Sequence, residues 1–356
     1  MKQSHDTEPN HPVRIFRQGA SHTLELNRPR AFNSLDPETV HLLHERLREA
    51  REDESCRFVI ICGAGERGFC AGGDIKHMAR RMQEGRLQGV LDFLAAEYAM
   101  DHAVHRFPKP VVVLAHGVTM GGGIGIAAGA DAVVATKSTR MAMPESRIGF
   151  FPDVGATGWL FAKCPPGYPE FLGLTGYELR GSDSVRLGLA THLVEQESLP
   201  DMLDRLQQLD PGRLPSDTQA LRALLAGELE RFADHEIPVA PDLDAWVREY
   251  FAGQQSVQAV RDGLASCSLQ QDLCRFVFSE FTSRSPTALV LTLFLLRRNE
   301  KRPLEEVFEA DLQAARFMLS HHDFLEGVRA RLLDKDNDPK WDPAEIEAVD
   351  LQGLDL

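Results

Sequence analysis

The sequence predicts an α/β fold of repeated β-β-α units with a helical C-terminal subdomain, and three observations predict it. Apolar, β-branched runs, Phe58-Val59-Ile60-Ile61-Cys62 and Pro110-Val111-Val112-Val113-Leu114-Ala115, each lead toward a glycine-rich turn that opens a helix. Those turns are Cys70-Ala71-Gly72-Gly73-Asp74-Ile75 and Met120-Gly121-Gly122-Gly123-Ile124-Gly125, and a single carboxylate follows in Met143-Pro144-Glu145. After Pro200 the strand signals stop and the chain reads as acidic and helical.

Each element has a local reason. From Arg14 to Leu26, Val13, Ile15, Leu24 and Leu26 interleave with polar residues, which predicts strands. Asp36-Pro37-Glu38 opens a helix: Asp is a good N-cap, Pro fits the first turn, and Val40, Leu43, Leu47 and Ala50 share one face. Ala132-Val133-Val134-Ala135 is a further strand leading to Met141-Ala142-Met143-Pro144. Leu209-Asp210-Pro211-Gly212 and Ile237-Pro238-Val239-Ala240-Pro241 punctuate the later region. Ser285-Pro286 caps a helix running to Arg298, and Pro303 opens another whose face carries Leu304, Val307, Phe308, Leu312 and Ala315 as core.

A chain of 356 residues exceeds what one core usually serves, so a core over 1–200 and a helical region over 201–356 are expected. The formal charge of -14 argues against nucleic acid or an anionic membrane as partner, since both bind through clustered Lys and Arg. No run approaches the roughly 18 apolar residues of a membrane span. Met1-Lys2-Gln3-Ser4-His5-Asp6 lacks an apolar signal core, and Asp6 and Glu8 make a poor mitochondrial leader. Cys56, Cys62, Cys70, Cys164, Cys267 and Cys274 include no C-x-x-C pair, so reduced thiols, a cytoplasmic location and no structural metal are expected.

Glycine turns beside a carboxylate suit chemistry in which backbone N–H groups meet an oxygen that becomes negative, because glycine lets two chain turns approach a carbonyl closely. A helix starting after such a turn adds its positive end. Gly123-Ile124-Gly125-Ile126-Ala127-Ala128 also matches a loose dinucleotide-binding pattern. That reading fails because Gly117-Val118-Thr119-Met120 separates the turn from its strand, and the next strand ends in Ala135-Thr136 rather than in an acid.

The chain resembles the crotonase (enoyl-CoA hydratase/isomerase) superfamily nearly end to end, and within it the 3-hydroxyisobutyryl-CoA hydrolase subgroup. The resemblance rests on Leu26-Asn27-Arg28-Pro29 with Asn33-Ser34-Leu35, Phe69 to Ile75, His116 to Gly123, and Ala142-Met143-Pro144-Glu145. It continues through Ile148-Gly149-Phe150-Phe151-Pro152-Asp153-Val154-Gly155 and Leu174-Thr175-Gly176. The segments His322-Asp323-Phe324-Leu325-Glu326-Gly327-Val328-Arg329 and Asp334-Lys335-Asp336 through Trp341 resemble the hydrolases in particular.

The resemblance implies a crotonase-like spiral and hydrolysis of a 3-hydroxyacyl-CoA thioester in valine catabolism. By it, the N–H groups of Gly73 and Gly122 form the oxyanion hole, each such donor contributing about 3 kcal/mol to the transition state. Glu145 is the nucleophile or the base; Pro144 before it favours the extended end of a short strand, with the carboxylate in the pocket. Asp153 is the second acid and binds the substrate 3-hydroxyl, and Glu97 lines the acyl site. Arg28, Arg30 and Lys76 are candidates for the coenzyme A phosphates. His116 reads as a structural histidine, and His321-His322-Asp323 as a cap rather than a metal site.

Hydratases of the superfamily use two glutamates, and the position of the first is Gly125 here, which cannot transfer a proton. Isomerases use one glutamate, so an enoyl-CoA isomerase or hydratase is the alternative enzyme, and an acyl-CoA-binding scaffold the non-enzymatic one. Gly155-Ala156-Thr157-Gly158-Trp159 and Cys164-Pro165-Pro166-Gly167 depart from the usual pattern and bear on acyl specificity. Coenzyme A enters as part of a small-molecule substrate, with no bound cofactor or metal. A homo-oligomer formed through the C-terminal helices is implied, with the longer tail leaving its size open.

Overall fold

The computed structural model describes residues 4–5 and 11–354. Its strands are β1 (Ser4–His5), β2 (Val13–Gln18), β3 (Ser21–Leu26), β4 (Phe58–Gly63), β5 (Val111–Ala115), β6 (Val118–Met120), β7 (Ala132–Thr136), β8 (Arg140–Ala142), β9 (Leu179–Arg180) and β10 (His192–Val194). One sheet has the order β1-β2-β3-β4-β5-β7-β10, and a smaller one the order β6-β8-β9. The β2–β3 hairpin is antiparallel, with Val13 opposite Leu26 and Gln18 opposite Ser21. From β3 to β10 each neighbour in the large sheet is parallel. Its central strands, VVVLA in β5 and AVVAT in β7, are buried at every position. Continuous β-branched runs suit parallel strands covered on both faces.

Parallel neighbours need crossovers, and the Pro37–Glu52 helix supplies the one between β3 and β4. Asp36 accepts from Thr39 N–H at 2.8 Å, Pro37 occupies the first turn, and Val40, Leu43, Leu47 and Ala50 are buried. The cap and face expected from the sequence are the ones observed.

The chain forms two compact units, each assembled from three segments. The sheet unit comprises 1–73, 99–141 and 179–238; the helical unit comprises 74–98, 142–178 and 239–356. A single cut near residue 200 is therefore corrected. The Leu199–Gln207 and Thr218–Glu230 helices belong with the sheet, where Met202, Leu206, Leu221, Leu225 and Leu229 share a core with Phe58, Ile60, Val112, Leu114 and Val134. Their apolar stripes cover a sheet face that would otherwise meet water.

In the helical unit, Ser285 Oγ accepts from Ala288 N–H at 3.0 Å and starts the Pro286–Asn299 helix, as its Ser-Pro pair predicts. Phe171 stands at the centre of an aromatic group, 5.1 Å from Phe251 and 5.8 Å from Trp246 between ring centroids. Arg297 pairs with the buried Glu170 at 2.7 Å. The expectation of six reduced thiols is corrected: Cys267 and Cys274, with Cα atoms 6.3 Å apart, form a disulfide across the loop before the Gln271–Thr282 helix. Cys56, Cys62, Cys70 and Cys164 are in no disulfide. Among the described residues no helix is long and apolar enough to cross a membrane.

Candidate active site

The glycine turns lie side by side in the sheet unit. Cys70 N–H donates to Val118 O at 3.1 Å, Met120 N–H donates to Cys70 O at 2.9 Å, and Leu35 N–H donates to Gly72 O at 2.8 Å. The short β6, absent from the sequence reading, provides the second turn with a strand of its own. Gly72 has φ +84°, a conformation that favours glycine, and a Cβ on it would stand a tight 3.0 Å from Met120 O and 3.1 Å from Gly122 N. Gly122 is the first residue of the Gly122–Ala128 helix. Among the described residues, neither the Gly73 nor the Gly122 N–H donates to a protein acceptor. Two main-chain donors in adjoining turns are thus available to an outside oxygen.

Asn33 ties this arrangement to the first strands. Its Nδ2 donates to Ala64 O at 3.0 Å and Gly68 O at 2.9 Å, and its Oδ1 accepts from Arg28 N–H at 2.9 Å. His116 Nε2 shares a hydrogen bond with Gly65 O at 2.8 Å, and burial lowers its pKa, which fits a structural histidine. Close approach gives a direct test. A Cβ on Gly123 would fall 2.3 Å from Cys70 O, so Gly123→Ala is expected to destabilise the protein by about 3 kcal/mol, read from thermal or urea unfolding. An unchanged midpoint would show that the turns can separate at little cost.

Of the basic candidates, Arg28 is engaged within the same unit: it donates to Ser34 O at 2.5 Å and pairs with Asp36 at 3.2 Å. Arg30 in the sheet unit and Lys76 in the helical unit are exposed.

The predicted acids gather in the helical unit. Glu145 is the first residue of a one-turn 3-10 helix, Glu145–Ile148, capped by Pro144 with φ -88° and ψ 14°. The expected extended strand end is corrected, because β8 stops at Ala142 and proline is compatible with a helical start as well as with extended backbone. Glu145 is 8% exposed, and its Oε2 meets no donor among the described residues. Burial, then the charges of Asp153 and Glu97, hold its carboxyl well above the usual carboxylate range. Glu97 is buried, and burial followed by the Asp153 charge raises its pKa too. Asp153 is pushed up to about 6 by burial, against the pull of the Tyr98 hydroxyl, which donates to its Oδ2 at 2.7 Å.

Two members of this group were not singled out in the sequence, Tyr98 and Asp311. Asp311 is fully buried, accepts from Gly155 N–H at 2.7 Å, and is held well above its ordinary pKa by burial, with the Asp153 charge adding to the effect. The buried face of the Leu304–Ser320 helix runs through Asp311 rather than the half-buried Leu312. An acid at a core position of an apolar stripe was the signal available, since a buried carboxyl is costly without a partner. His321 caps the His322–Val328 helix by accepting from Asp323 N–H, so the cap is the histidine itself. Among the described residues no group of three or more His, Cys, Asp or Glu is arranged to hold a metal ion.

Comparison with known proteins agrees with this architecture. Residues 21–355 match the family model described as enoyl-CoA hydratase/isomerase. The mitochondrial 3-hydroxyisobutyryl-CoA hydrolase of Danio rerio is 34% identical over 348 residues, covering 96% of this chain and 88% of that protein. The mitochondrial enzyme of the same name from Homo sapiens is 32% identical, covering 99% and 90%. Among solved structures, an enoyl-CoA hydratase from Rhodobacter sphaeroides superposes with TM-score 0.83 at 31% identity, over 96% of each chain. A carnitinyl-CoA dehydratase from Mycobacterium thermoresistibile gives 0.83 at 32%, over 97% of this chain and 95% of that one. The expectation of a cytoplasmic location is overturned by these relatives, whose names specify mitochondria. Sequence, fold and the paired glycine turns lead to one conclusion: the chain belongs to the enoyl-CoA hydratase/isomerase family.

Proposed function

We propose that this protein hydrolyses 3-hydroxyisobutyryl-CoA to 3-hydroxyisobutyrate and coenzyme A, a thioester cleavage of valine degradation. One observation carries the reading: Glu145, a buried carboxyl with an oxygen that meets no donor among the described residues, is raised in pKa beside a second acid, Asp153, of different environment. Acids whose environments push their pKa values apart suit a division of roles. The hydrolase names of the curated relatives support it over nearly the whole chain.

In this reading the thioester carbonyl oxygen accepts from the Gly73 and Gly122 N–H groups, which form an oxyanion hole as negative charge develops. Glu145 then acts in one of two ways. As nucleophile it bonds to the carbonyl carbon, the C–S bond breaks, coenzyme A leaves as thiolate, and water cleaves the mixed anhydride. As base it takes a proton from the water that attacks directly. Asp153 accepts from the substrate 3-hydroxyl, and Glu97 lines the acyl chain. Arg30 and Lys76 are the exposed cations offered to the coenzyme A phosphates, with Arg28 turned to Ser34 and Asp36. No bound cofactor is invoked, and homo-oligomerisation belongs to the same reading, measurable by light scattering.

Enoyl-CoA hydration, the activity for which the superposed Rhodobacter sphaeroides protein is named, is disfavoured because Gly125 has no side chain to transfer a proton. The test is free-thiol release from a panel of acyl-CoAs, with crotonyl-CoA hydration measured in parallel. Thiol release from 3-hydroxyisobutyryl-CoA is expected to dominate. Hydration at a matching rate would favour the isomerase or hydratase alternative, and coenzyme A binding without turnover would favour a scaffold.

A further inference from the structure

Asp153 opens a turn that neighbouring side chains hold in a costly conformation. Val154 has φ +50°, a left-handed value that a β-branched residue adopts only under constraint. The peptide joining Val154 to Gly155 is held at both polar ends: Trp159 Nε1 donates to Val154 O at 2.9 Å, and Gly155 N–H donates to Asp311 Oδ2 at 2.7 Å. The Asp153 carboxylate itself receives the Tyr98 hydroxyl at 2.7 Å. Tyr98 sits in turn against Phe308, one helical turn before Asp311, with ring centroids 6.0 Å apart. Tyr98, Asp153 and Asp311 are 3%, 7% and 0% exposed, so water does not compete for these bonds.

We propose that Tyr98 and Asp311 are positioning residues for Asp153: the phenol fixes the direction of its carboxylate, and Asp311 holds the strained peptide that follows it. The proposal rests on the role given above to Asp153 as acceptor for the substrate hydroxyl. A hydroxyl is read well only by an acceptor whose lone pairs are already aimed, because a rotating carboxylate must be ordered at each binding event. Packing alone would not account for Asp311. A leucine at that point of an apolar face would avoid the desolvation of a carboxyl, whereas the acid supplies the acceptor that Gly155 N–H needs.

The groups facing Asp153 are Glu97 and Tyr98 from the Leu87–His105 helix, Glu145 from its 3-10 turn, and Asp311 from the Leu304–Ser320 helix. Three are acids, so the Tyr98 phenol is the side chain of this set that favours the ionised form of Asp153. Removing it loosens the carboxylate and raises its pKa above about 6.

The experiment compares Tyr98→Phe, Asp311→Asn, Asp311→Ala and Asp153→Asn in the full chain, with thermal midpoints measured for each. The first readout is the ratio of kcat/KM for 3-hydroxyisobutyryl-CoA over isobutyryl-CoA. Tyr98→Phe and Asp311→Ala are expected to lower it about tenfold, the loss of one hydrogen bond to a charged group, while Asp311→Asn, which keeps an acceptor for Gly155 N–H, retains it. Wild-type selectivity in Tyr98→Phe would overturn the proposal. The second readout needs no substrate: the carboxyl carbon resonance of Asp153, identified by its loss in Asp153→Asn, is expected to titrate at higher pH in Tyr98→Phe, and an unmoved titration also overturns it. If the titration moves but wild type does not distinguish the two substrates, the hydroxyl-reading role of Asp153 fails and its positioning by Tyr98 stands.

Discussion

Glu145→Gln is expected to lower coenzyme A release from 3-hydroxyisobutyryl-CoA by about 10²–10⁴-fold, the range for loss of a group that moves protons in the transition state. Glutamine keeps the volume and one oxygen, so the buried turn should survive. The same substitution should stabilise the protein, and the sign follows from burial. Burial raises the Glu145 carboxyl above 4.5, so the folded state holds its proton more tightly than the unfolded chain does. Stability then falls as pH rises from the unfolded value through the folded one, and the whole loss is present above it. Glutamine does not titrate. Its thermal midpoint should match wild type at about pH 4 and exceed it at about pH 8, a gap set by the raised pKa. Wild-type activity should show the opposite trend, rising with pH as Glu145 loses the proton that burial holds on it above the usual carboxylate range. Full activity in Glu145→Gln would remove this residue from the mechanism.

Substrate discrimination carries the second large effect. A site that hydrogen-bonds a substrate hydroxyl can reject the analogue lacking it by about 10⁴, because the buried polar group is then left unpaired. Wild type is expected to prefer 3-hydroxyisobutyryl-CoA over isobutyryl-CoA on that scale, and Asp153→Ala to lose most of the preference. Removing the carboxylate also strands the Tyr98 hydroxyl at a cost of about 1–3 kcal/mol, so Asp153→Asn, which keeps an acceptor, separates selectivity from folding. The measurement is kcat/KM for both thioesters in all three proteins. Equal turnover of the two by wild type would defeat the specificity assignment.

Much of the architecture was legible because local rules and tertiary packing agree. Asp36-Pro37 and Ser285-Pro286 start helices where their caps predict, and the buried faces of β5 and β7 are the apolar runs themselves. Glu145 and Asp153, and Glu97 from a distant part of the chain, were named from motifs and are all buried and electrostatically linked. The short strand β6 and the 3-10 turn at Glu145 were missed because three or four residues carry too little periodicity to identify them. The Cys267–Cys274 bridge was missed because a loop, rather than a recognised spacing, brings the two residues together.

The amino-acid sequence by itself determined the strand and helix types, the two glycine turns and the identity of the acids, since these depend on side-chain period, caps and residue chemistry along the chain. Tertiary structure alone decided which segments share a core, sending 201–238 to the sheet and 74–98 and 142–178 to the C-terminal helices. It also decided the company Asp153 keeps, the phenol of Tyr98 and the carboxyl of Asp311 behind its turn. The reason is physical: desolvation and hydrogen bonding between residues 55 and 156 positions apart depend on where helices pack, and no local pattern encodes that distance.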